Sequence, residues 1–94
     1  MPHEPPPELA ALLNQQVVID TDSAYVYIGR LKRVGADYLE LVDVDVHDNG
    51  DSRSTKEHYA HEARRLGARA NRKVTLVRLA RVVSIAKLDD VIRF

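Results

Sequence analysis

His58, His61 and Glu62 stand at i, i+3 and i+4, a spacing that would put three ligating side chains on one side of a helix within reach of a divalent cation. Their order is not that of a metalloprotease helix, in which Glu directly follows the first His and the second His comes four later. A calcium loop can be tried on residues 45–56, where Gly50 takes the sixth position, and it fails because His47 and Lys56 occupy the third and twelfth positions, where carboxylates are needed. Asp43, Asp45 and His47 would share one face of a strand. The chain has no glycine-rich phosphate loop, no specific Ser/His/carboxylate spacing and no cysteine, which removes thiol nucleophiles, zinc ribbons and disulfides together. The expectation is therefore a protein without catalytic residues, metal or cofactor.

Binding chemistry is better represented. Arg65, Arg69 and Arg72 fall at i, i+4 and i+7 and would form one cationic face if a helix runs through them. Arg30, Lys32, Arg33, Arg64 and Lys73 add to the positive charge, and Tyr25, Tyr27 and Tyr38 could serve as stacking platforms for bases. A solvated helix face and strand tyrosines with their hydroxyls at the surface are the alternatives for the same residues.

These side chains need elements to hold them. All four prolines lie in the first seven residues, so 1–8 reads as a flexible tail. Leu9, Leu12 and Leu13 recur at helical spacing, giving a short amphipathic helix to about Gln15. Residues 16–21 read as a strand, followed by a turn at Asp20 to Ser23. In 24–34, Val26 and Ile28 share a face and the next apolar position is Leu31, with Gly29 at the break. In 37–47, Leu39 and Leu41 give way to Val42, Val44 and Val46. Two consecutive strands that exchange their buried face midway imply bulges and a strongly curved small barrel, because side chains on a strand alternate strictly. Ser54 and Glu57 match a capping box, opening a charged helix with a narrow stripe of Tyr59, Ala63, Leu66 and Ala70 that ends near Asn71. Two β-rich runs, 73–80 and 82–88, complete the order.

At 94 residues the chain suits one domain, placed at 9–94 with a helical insertion at about 54–71. Hydrophobic residues make up 45% and charged residues 30%, a globular balance. No apolar run exceeds five residues and no basic leader precedes one, so neither a membrane span nor a secretory signal is expected and the location is taken as cytoplasmic. The net charge is zero but uneven. Residues 1–51 carry ten acidic and three basic side chains, and 52–94 carry four and eleven, enough to create faces of opposite sign.

The order of short helix, three strands, helix and two strands is that of an Sm-like protein with an insertion between its third and fourth strands. Tyr27-Ile28-Gly29-Arg30-Leu31 followed by Asp37-Tyr38-Leu39-Glu40-Leu41 resembles the first Sm motif, and residues 77–85 resemble the second. The resemblance implies a mainly β fold, a five-stranded and strongly bent antiparallel barrel with a short N-terminal helix. It also implies a single-stranded RNA site in which Arg78 stacks on a base and holds phosphate, with Asp37 and Tyr38 beside it and Arg65, Arg69 and Arg72 adding nonspecific affinity. Glu40 and Leu79 stand where the family generally has Asn and Gly, and an assembly or adaptor module that binds no RNA, on an Sm-like or SH3-like barrel, is the alternative. The fourth and fifth strands are apolar and β-branched, poor edges to leave open in water. In the family such edges pair between subunits, so the expected partner is the chain itself, in a homo-oligomeric ring.

Overall fold

The computed structural model describes residues 4–48 and 56–92, with the backbone alone at Glu57. The element order is α1 (Pro7–Ala10), β1 (Gln16–Thr21), β2 (Tyr25–Val34), β3 (Tyr38–Asp48), α2 (Lys56–Leu66), β4 (Arg72–Arg78), a 3₁₀ turn (Leu79–Arg81), β5 (Val82–Lys87) and a second 3₁₀ turn (Leu88–Asp90). The strands form one antiparallel sheet in the order β4-β3-β2-β1-β5. Val17, Ile19, Leu31, Val34, Leu39, Leu41, Val44 and Val77 form one buried cluster, with Val82 and Ile85 packed against it, so all five strands curl around the same core. Burying these side chains supplies about 1.5–3 kcal/mol each.

The bend has two sources. Between Ile28 and Arg30 the β2/β3 register slips because β3 carries an extra residue at Asp43, which adopts φ 52°. That bulge moves β3's inward positions from Leu39 and Leu41 to Val44 and Val46, the exchange expected from the sequence. On β2 the slip comes between Leu31 and Arg33, later than Gly29. Tyr27 and Leu31 therefore both contact the inner cluster, and Ile28 points the other way, into a second cluster with Ala63 of α2 and Leu88. The jump from Ile28 to Leu31 thus marks a strand covered on both faces. Gly29 matters for another reason. A Cβ there would lie 3.1 Å from the Val42 carbonyl oxygen and 3.2 Å from the Val44 Cα, so its hydrogen lets the two strands close up at the bend.

The helices are shorter than their sequence patterns. Pro7 and Glu8, expected in the tail, already belong to α1, and the Pro6 carbonyl accepts the Leu9 and Ala10 amides; residues 1–3 of the expected tail lie outside the described residues. After Ala10 the chain continues in i→i+3 turns to Asn14, which takes φ 67° and donates its N–H to Leu31. Helical bonding yields there to pairing with β2, and Leu9, Leu12 and Leu13 pack on the core cluster. Helix α2 ends at Leu66, five residues before the expected Asn71, because Gly67 takes φ 87° and donates its N–H to the Ala63 carbonyl. Leu66 and Ala70 are consequently exposed, and the face that docks is Ala60 and Ala63 with half-buried Tyr59. Ser54, one half of the capping box, lies outside the described residues.

Candidate nucleic-acid interface

The turn between β2 and β3 is closed by the Gly35 N–H donating to the Tyr38 carbonyl at 2.7 Å. Across β3 and β4, Tyr38 is the direct partner of Arg78. Immediately beyond that pair the Leu79 N–H donates to the Asp37 carbonyl at 2.9 Å, which fastens the β2–β3 turn to the turn after β4. An open cleft of about 500 Å³ lies between them, lined by Ala36, Asp37, Tyr38, Arg78, Leu79 and Ala80. A second cleft of about 300 Å³ shares Tyr38 and Arg78 and reaches Tyr27 and Arg81. Tyr38 is 39% exposed, and the Arg78 guanidinium makes no ion pair among the described residues. The cleft therefore offers a π face, a guanidinium able to stack or grip phosphate, and a carboxylate, within one cross-strand step.

Glu40 does not line this cleft. Its carboxylate accepts a hydrogen bond from Arg33 Nε at 3.3 Å, a cross-strand pair that neutralises it. Arg81 is likewise occupied, donating to Asp22 Oδ1 at 2.7 Å.

The three other arginines are not brought to the cleft, nor do they share a helix face. Arg65 sits in the last turn of α2, 3.7 Å from Glu62; Arg69 lies in the link that follows Gly67; Arg72 is the first residue of β4. The cause is the helix stop at Gly67, which breaks the i, i+4, i+7 relation. Arg72 and Arg78 mark opposite ends of β4, about 20 Å apart at the usual rise per residue. Near Arg69 there is a separate cleft of about 660 Å³ under α2, with buried Asp45 in its wall. Asp45 accepts from the Arg69 N–H at 3.2 Å and from the Tyr59 hydroxyl, and Tyr59 stacks on His47 at 3.8 Å. Burial, then the Asp45 carboxylate, push the Tyr59 phenol well above its ordinary pKa. Asp43 is exposed on the bulge and so does not share a face with Asp45. On α2, His58 is exposed whereas both ring nitrogens of His61 are covered, so these two imidazoles do not face one open position. Among the described residues no three His, Asp or Glu side chains converge as a metal site.

Comparison with known structures resolves the architecture. An Sm protein of Pyrococcus abyssii, solved in complex with a uridine heptamer, superposes with a TM-score of 0.59 at 16% identity, over 89% of this chain and 99% of that one. The chain has an Sm-like fold. Two further structural matches are chains of the NatC complex, one bound to Gag peptide and CoA (TM-score 0.52, 17% identity, 82% of this chain and 86% of that one) and one bound to CoA (TM-score 0.52, 16% identity, 90% and 86%). No family model and no curated protein matches the sequence. Among the described residues no helix is long and apolar enough to cross a membrane. Within the Sm-like fold, α2 is the insertion between β3 and β4 anticipated from the motifs, and the two motif loops are those joined by the Leu79–Asp37 hydrogen bond.

Residues that sequence reasoning missed concern the insertion. Lys56, at the start of α2, donates to Asp20 Oδ1, to the Ser23 carbonyl at 2.7 Å and to the Thr21 carbonyl at 3.1 Å. No local pattern could reveal a contact spanning more than thirty residues. The Gly67 stop could have been read from Arg64-Arg65-Leu66-Gly67, cations in a last turn followed by glycine.

Proposed function

We propose that the protein is a non-catalytic, single-stranded RNA-binding module that works as a homo-oligomeric ring. The observation that carries this reading is the cleft in which Asp37, Tyr38 and Arg78 meet, with its guanidinium and aromatic face uncommitted among the described residues. A base stacks on Tyr38 or on the Arg78 plane while Arg78 holds the adjoining phosphate. Asp37 accepts hydrogen bonds from base edges. Arg65, Arg69 and Arg72, at the other end of β4, add salt-sensitive and sequence-independent attraction. The Pyrococcus Sm protein, bound to a uridine heptamer, supports this class of ligand.

An assembly module without RNA is the second reading. It is favoured by Leu79 in the cleft wall and by the similarity to chains of NatC, a complex bound to CoA. Fluorescence anisotropy with short uridine-rich and adenine-rich oligomers separates the two. Binding that weakens steeply with salt, and weakens about tenfold or more in Arg78→Ala, is expected of the RNA reading. Absence of binding at low salt rejects it, and recovery of a protein partner that survives nuclease treatment then favours the assembly reading.

A further inference from the structure

The cleft of about 660 Å³ under α2 is built by the inserted segment and is separate from the Arg78 site. Its walls are fixed by hydrogen bonds. The Gly67 N–H donates to the Ala63 carbonyl at 2.8 Å where the helix stops, the Arg69 N–H donates to Asp45 Oδ2 at 3.2 Å, and the Asn71 N–H donates to the Val44 carbonyl at 2.8 Å. The Asn71 side-chain amide donates to the Val46 carbonyl and accepts from the Val46 N–H, both at 3.0 Å, so it holds the link to β3 much as another strand would. The same walls carry apolar groups, with Leu66 70% exposed, Ala70 exposed and Ala63 buried. Around them the charge is one-sided. From Glu62 to Lys73 the chain has five cations, Arg64, Arg65, Arg69, Arg72 and Lys73, against one carboxylate, which already lies 3.7 Å from Arg65. All five cations are exposed, and the Arg69 guanidinium forms no ion pair among the described residues.

We propose that this cleft docks an acidic segment of a partner protein, with one apolar side chain seated against Leu66, Ala63 and Ala70 and flanking carboxylates held by Arg69 and the neighbouring cations. The occupant follows from shape and charge. An apolar anchor in a preformed concave site supplies affinity, and opposite charge around it steers acidic segments in and turns basic ones away. The cleft is unsuited to RNA. Its one aromatic ring, Tyr59, is half-buried, stacked on His47 at 3.8 Å, with its hydroxyl turned to Asp45, so it lacks the exposed face that Tyr38 offers a base. A phosphate lodged inside would meet the carboxylates of Asp45 and Glu62 in the wall. A peptide keeps its own carboxylates on the rim, and its backbone N–H groups can donate to those of the wall. The inference is independent of the RNA reading, because the Arg78 cleft lies at the other end of β4. A seated segment competes only for the nonspecific attraction assigned to Arg65, Arg69 and Arg72.

The test titrates the nuclease-treated full chain with short fluorescein-labelled peptides in which Asp and Glu surround a single central Leu or Phe. Two controls replace the apolar anchor with Ser or the acids with Lys. Anisotropy at about 50 mM and about 500 mM salt reads affinity, and amide NMR spectra read the place of binding. The acidic peptides are expected to bind more weakly at high salt, to bind about tenfold or more tighter than either control, and to shift the amides of Leu66, Arg69 and Asn71 while leaving Asp37 and Arg78 unmoved. Leu66→Ser and Arg69→Glu, both at exposed positions, are each expected to weaken binding about tenfold or more, with spectra that otherwise match the folded wild type. No binding at low salt, equal binding of either control, or variants that bind as tightly as the wild type overturn the proposal. A uridine-rich oligomer that shifts Leu66, Arg69 and Asn71 when the acidic peptides do not also overturns it and gives the cleft to RNA.

Discussion

Tyr59 is the residue whose chemistry the fold has changed most. Its hydroxyl donates to a buried carboxylate, and both burial and that charge oppose ionisation. A phenol with a raised pKa in the folded state binds its proton more tightly folded than unfolded. The resulting stability is fully present below the unfolded value, about 10, and is lost as pH climbs beyond it. Urea denaturation from pH 8 to 11 should show the wild type level up to about pH 10 and falling above. Tyr59→Phe should be less stable at neutral pH by about 1 kcal/mol, for the lost hydrogen bond, and fall less steeply in alkali. Gly29 is the second sensitive residue. The Cβ of Gly29→Ala would press on β3 backbone atoms that cannot rotate away, so a loss of about 1–3 kcal/mol is expected from thermal melts.

At the scale of elements, α2 is held to the barrel at its two ends and by a slender middle. Ala60 and Ala63 bury little area, and the second cluster adds only Ile28 and Leu88 as further buried residues. The Lys56 ammonium, bound by one carboxylate and two carbonyls of the β1–β2 turn, is therefore a main tether. Lys56→Met strands those acceptors and should cost about 1–3 kcal/mol, as expected for a hydrogen-bonded charged group. Hydrogen exchange provides the check: in the variant, amides of α2 should lose protection well before those of β2 and β3, and protection equal to the wild type throughout would show that the tether matters little.

For the whole molecule, the proposed assembly turns on the open edges of β4 and β5. Val74→Lys with Leu76→Lys puts two cations on the outer edge without touching the buried cluster. On the proposed ring reading, light scattering should report assembly of the wild type and a folded monomer for that double variant, since inserted lysines are how edge strands are kept from pairing. If the proposed RNA binding holds, affinity should fall with it, because a ring would present many copies of the Asp37, Tyr38 and Arg78 cleft to one strand and a monomer a single one.

Five strands, their order and the place of the inserted helix were legible from the amino-acid sequence because alternation and turn residues act over a few positions. The motif loops around Asp37, Tyr38 and Arg78 were legible too, and the sheet register set Tyr38 opposite Arg78. Of three departures from that reading, two were decided only by the tertiary structure and one, the helix stop at Gly67, by a local signal that the arginine spacing alone does not carry. The face exchange near Gly29 has the pattern of a bulge, yet Ile28 is buried because a helix far along the chain covers it. The basic stripe of Arg65, Arg69 and Arg72 is continuous in spacing, yet a positive φ at Gly67 divides it among helix, link and strand. Lys56 has the local setting of one more surface charge until folding brings the β1–β2 turn beneath it. Periodicity reports which side of an element is apolar; what covers that side, and which distant carbonyl meets a charge, depends on packing between parts of the chain that no local window contains.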